Sequence, residues 1–85
     1  MPLFLIERNF AEQLQMDKEL ADQIVEVNTD MGCNWLFSFL SADKKKTYCL
    51  YEAISADVIR ANAARLNIPA DVVVEVTNVN PGMFA

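Results

Sequence analysis

NWLFSFLSADKKKTYCLYEAIS, residues Asn34–Ser55, reads as a β-hairpin that feeds directly into a helix. Asn34–Ala42 is one strand, Asp43–Lys46 the turn and Thr47–Ala53 the second strand. In a straight strand alternate side chains share a face. Trp35, Phe37 and Phe39 then lie on one face, with Leu36, Ser38 and Leu40 on the other. On the second arm Cys49 and Tyr51 share a face opposite Tyr48, Leu50 and Glu52. This hairpin is too apolar for a sheet with one fully solvated side, so the remaining chain must cover it.

The flanking segments supply that cover. Pro2–Asn9 reads as a strand with Phe4 and Ile6 on one face and Leu3, Leu5 and Glu7 on the other. Two apolar faces predict a central position. After a connection at Phe10–Gln15, a helix is predicted over Met16–Met31, with Leu20, Ile24, Val27 and Met31 as its buried stripe. Asp17 is the expected N-cap and Gly32 the stop. Ser55 caps a second helix that runs to Leu66, with Ile54 stapled onto Ile59 and with Ile59, Ala63 and Leu66 buried. Asn62 lies beside that stripe, Asn67 closes the helix and Pro69 prevents its continuation. Val72–Val79 is a β-branched strand, ended by Pro81-Gly82.

The order β-α-β-β-α-β, with right-handed crossovers, predicts an α+β ferredoxin-like fold. It has a four-stranded antiparallel sheet with two helices on one face. Eighty-five residues suit a single domain, 1–85. Apolar residues make up 53% of the chain, above the roughly 45–50% usual for soluble domains. The uncovered sheet face is the expected place for that surplus, and a two-fold homodimer is its expected cover.

The net charge of −5 argues against a nucleic-acid partner, and Lys44-Lys45-Lys46 reads as a solvated turn. There is no histidine, so a metal site within this chain would draw on Asp, Glu, Cys, Asn or backbone oxygen. Cys33 and Cys49 match neither a CxxC nor a zinc-ribbon spacing. The apolar run Leu3–Ile6 is too short for a leader or a membrane span. These features predict a cytoplasmic protein with reduced thiols and no membrane association.

Three acids fall in strands: Glu7, Glu52 and Glu75. Carboxylates converging on one face could bind a cation; at wet strand ends, or paired with arginine, they are ordinary. If Cys49 and Tyr51 share a face with Glu7, a thiolate–carboxylate–phenol cluster forms there. If they face the helices, Cys49 is a small core residue. The aromatic stripe lines an apolar pocket or simply packs. No phosphate-binding glycine loop and no nucleophile–base set is present.

Several short motifs, in this order and spacing, resemble a small bacterial family, domain of unknown function 4242. They are Ile6-Glu7-Arg8, Trp35-Leu36-Phe37-Ser38-Phe39, Tyr48-Cys49-Leu50-Tyr51-Glu52-Ala53, Ile59-Arg60-Ala61-Asn62-Ala63-Ala64-Arg65 and Pro69-Ala70-Asp71-Val72. Together they span nearly the whole chain. The resemblance implies a ferredoxin-like dimer and, from one member described as nickel-binding through histidines, Ni²⁺ or another divalent metal as cofactor. The two positions at which family members often carry histidine are Phe37 and Asn62 here.

The resulting expectation is a non-catalytic binding protein for a metal ion or an unidentified small ligand, at the open face or dimer interface. Glu7 and Glu52 would be acceptor ligands, Cys49 a thiolate ligand and Tyr51 a hydrogen-bond partner, with Phe37 and Asn62 lining the pocket. The alternatives are a cofactor-independent oxygenase or isomerase acting on apolar ring substrates, by fold analogy, and a protein-interaction module.

Overall fold

The structure, a computed structural model, describes residues 1–84. Its elements follow in the order β1 (Leu3–Asn9), α1 (Lys18–Met31), β2 (Asn34–Leu40), β3 (Lys46–Glu52), α2 (Ala56–Leu66) and β4 (Val72–Val76), then a short 3-10 helix at Pro81–Phe84. The four strands form one antiparallel sheet in the order β2-β3-β1-β4. This is the ferredoxin-like α+β fold, with β1 central as its two apolar faces required.

The helix boundaries follow local chemistry. Asp17 accepts a hydrogen bond from Leu20 N at 2.8 Å, and Ser55 Oγ accepts one from Val58 N at 3.2 Å. Both satisfy backbone donors that have no partner within the helix. Gly32 ends α1 at φ 73°, where a side chain would be strained, and its N–H returns to Thr29 O. Asn67 ends α2 in the same left-handed region. Ile54 does not staple: it is 73% exposed while Ile59 is fully buried, because Ile59 is drawn into the core beneath α2.

Residues paired across neighbouring strands share a face, so the register assigns every side chain. Phe4 pairs with Tyr51, Ile6 with Cys49 and Arg8 with Thr47. All six are buried on the helix side of the sheet. With Cys33, Ala53 and Ile59 the apolar members form the core, flanked by Trp35, Met31 and Val73. Leu5, Leu50, Val72 and Val74 occupy the other face, which neither helix covers.

β2 departs from the straight-strand expectation. Trp35 pairs with Tyr51 but Phe37 pairs with Leu50, leaving Leu36 as an extra residue in a bulge. One extra residue inverts the alternation. Trp35 therefore faces the helices, while Phe37 and Phe39 face out, with ring centroids 5.6 Å apart edge to face. The three aromatic residues do not form one stripe. Trp35 Nε1 donates to Ser38 Oγ at 2.8 Å, spanning the bulge on the helix side. No described helix is long and apolar enough to cross a membrane.

Candidate functional site

A cavity of about 260 Å³ lies between the helix side of the sheet and the first half of α1. Leu20 and Ile24 reach it from α1, and Phe10, Leu14 and Met16 from the connection after β1. That connection is moored to the hairpin turn, with Phe10 N donating to Lys45 O and Leu14 N to Lys44 O, each at 2.7 Å. The floor is the sheet: Arg8, Thr47, Cys49 and Tyr51, with Trp35 and Leu40 at the β2 side. An apolar cavity of about 150 Å³ accommodates benzene. This one is larger, with room for a single ring and a short chain.

Polar groups in and beside the floor are few and buried. Arg8 is 3% exposed. Its Nη1 donates to Pro69 O at 2.6 Å and its guanidinium lies 5.8 Å from the Tyr51 ring centroid. Its Nη2 has no hydrogen-bond partner among the described residues. Tyr51 Oη accepts from Asn28 Nδ2 at 3.3 Å, and Asn28 Oδ1 accepts from Asn62 Nδ2 at 2.7 Å. This polar chain joins the sheet to both helices. Burial pushes the Tyr51 phenol above its ordinary value, against the opposing pull of the Asn28 amide and the Arg8 charge. The hydroxyl is therefore protonated at neutral pH and can donate.

The sheet divides the residues expected to form one site. Cys49 and Tyr51 lie on the helix side, whereas Glu7 and Glu52 lie on the open face. Glu7 and Glu52 sit beside Tyr48 and Leu3 respectively, four residues apart along β1, which is about 13 Å. Glu7 pairs with Lys46 Nζ at 3.8 Å, and Glu52 Oε1 accepts from Asn34 Nδ2 at 3.5 Å. Glu75 stands beside Phe4, on the opposite side of the sheet from Glu7. Phe37 is half-exposed on the open face and does not line the cavity. Asn62 is fully buried but belongs to the polar chain between the helices rather than to the cavity wall.

Sequence reading missed Arg8 and Asn28. Arg8 carried a signal: in β1 it falls on the same face as Phe4 and Ile6, so a central strand was bound to bury it. Asn28 carried one too: it follows Ile24 by four residues and precedes Met31 by three, which puts it on the buried stripe of α1.

The sequence pattern described as nickel responsive protein SCO4226-like matches residues 4–76. The chain belongs to this family. SCO4226 from Streptomyces coelicolor A3(2), known from a crystal structure, is similar in fold, with a TM-score of 0.78 at 19% identity over 92% of this chain and 99% of that one. Comparison with curated proteins gives no match.

The family's name raises the question of nickel, and the donors of this chain do not fit it. Ni²⁺ favours imidazole and thiolate over isolated carboxylates. There is no histidine, and both cysteines are free and buried. Among the described residues no three of His, Cys, Asp and Glu stand close enough to share an ion.

Proposed function

We propose that this member of the nickel-responsive family is a non-catalytic, cytoplasmic binding protein whose ligand is a small, largely apolar molecule of single-ring size. The observation that carries the reading is the cavity between α1 and the sheet, apolar on nearly every side and large enough for such a ligand. Among the described residues of one copy, no comparable arrangement of donors supports a metal ligand. The two free, buried thiols support a reducing compartment. A second copy of the chain is the proposed cover for the open sheet face, where Leu5, Phe37, Phe39, Val72 and Val74 are exposed together.

Trp35 provides the test. It is the only tryptophan and it borders the cavity. Titration with a neutral ring compound such as phenylpropanamide should change its emission saturably. Leu20→Phe, which adds ring volume at the wall, should weaken that binding while leaving the far-UV spectrum intact. A Trp35 signal that no ring compound moves would remove the cavity from consideration as a site. Turnover of the probe would replace the binding reading with the oxygenase or isomerase one.

A further inference from the structure

We propose that the ligand of this cavity is a carboxylate: an apolar body with one carboxylate head, received by the buried guanidinium of Arg8 together with the Tyr51 hydroxyl. The inference rests on the cavity being the binding site and adds the chemical class of what enters it.

Among the described residues, Arg8 is the only charged side chain in the cavity wall. A guanidinium stays ionised in any protein setting, so its burial is costly unless another charge or a full set of acceptors meets it. At 3% exposure bulk water does not supply them, and the cavity that Arg8 lines is the remaining approach. The chain carries 12 acids against seven bases, yet among the described residues none pairs with Arg8. Pro69 O occupies Nη1, the Tyr51 ring lies near the guanidinium, and Nη2 is left without an acceptor.

The second donor adjoins it. Tyr51 Oη takes its hydrogen bond from Asn28, which leaves the hydroxyl proton available to an acceptor. One guanidinium N–H and one hydroxyl match the two oxygens of a carboxylate. A phosphate, with close to two charges at neutral pH, would meet only one cation among the described residues of this wall. Thr47 Oγ1 accepts from the Cys49 thiol at 3.6 Å and Ser38 Oγ from the Trp35 indole N–H, so each hydroxyl keeps a proton that can assist the same head group. The rest of the lining is apolar and suits an aryl or alkyl body.

The experiment compares phenylpropionate with phenylpropanamide, its neutral isostere, by Trp35 emission at pH 7 in wild type and in Arg8→Met. A charge-assisted contact to a buried guanidinium should favour the acid over the amide by about tenfold or more in wild type. Arg8→Met should abolish that preference while still binding the amide. Equal affinity for acid and amide in wild type overturns the carboxylate assignment and leaves the cavity reading standing. So does an acid preference that survives in a folded Arg8→Met variant. Binding of neither compound overturns both. The wild-type comparison decides even where the variant fails to fold.

Discussion

Asn62 of α2 donates to Asn28 of α1 at 2.7 Å, and both side chains are almost wholly buried. Asn28 passes the connection on to Tyr51 of β3. One chain of polar side chains thus sets how both helices sit on the sheet. Asn62→Ala leaves the Asn28 carbonyl without its donor in a dry interior. The expected loss is about 1–3 kcal/mol of stability, read as a lower urea midpoint with an unchanged slope. Asn28→Ala should cost a similar amount. The double variant should cost less than the sum, with a coupling of about 0.5 kcal/mol or more. Strict additivity would mean that the two amides stabilise the fold independently.

Stability should fall at alkaline pH. Burial raises the Cys33 thiol above its ordinary 9.0 and the Tyr51 phenol above its ordinary 10.0. In each case the folded chain keeps a proton that the unfolded chain has already released. The stabilisation is full below the ordinary value and is lost as pH rises through the raised one. Urea midpoints measured between neutral and strongly alkaline pH should decline from about pH 9 upward. Tyr51→Phe should flatten the later part of that decline, and Cys33→Ala the earlier part. A variant that declines as steeply as wild type would remove its residue from the account.

The open face should hold two copies together. Phe39 is 65% exposed and Phe37 51%, and they pack on each other beside Leu50 and Tyr48. The Glu7–Lys46 pair and Glu52 stand toward opposite ends of this surface, a polar edge to an apolar centre. Sedimentation at micromolar concentration should give twice the 9.6 kDa chain mass. Phe39→Glu should give the single-chain mass with an unchanged far-UV spectrum, because the side chain supports no core contact. A wild-type monomer would instead favour the face as a dock for a different protein.

Most of the fold was legible because its signals are local: strand alternation, the caps at Asp17 and Ser55, and the stops at Gly32 and Asn67. The site was far less so. Alternation alone sets Glu52 opposite Cys49 and Tyr51, whereas the side of Glu7 relative to them depends on the β1–β3 register, which the sequence does not carry. The bulge at Leu36 has no signature in NWLFSFL, yet it moves Phe37 and Phe39 to the other side from Trp35. Arg8 shares the face of Phe4 and Ile6, and its burial as a charge follows once that face meets the helices.

Nickel provides the last test, because the family's name and the donors of this chain point in different directions. A ligand at one hundred times its Kd adds about 2.7 kcal/mol to stability, several degrees of melting temperature in a domain of this size. Chelator-stripped protein titrated with Ni²⁺ should show no such shift. Glu7 is engaged by Lys46, Cys49 is buried across the sheet from it, and Phe37 and Asn62 offer no imidazole. A shift selective for Ni²⁺ over Mg²⁺ and lost in Cys49→Ala would mean that the core opens to expose the thiol. A shift lost instead in Glu7→Ala, and in the Phe39→Glu variant that separates the copies, would place the ion between two open faces, with carboxylates from both chains completing a set that one chain lacks.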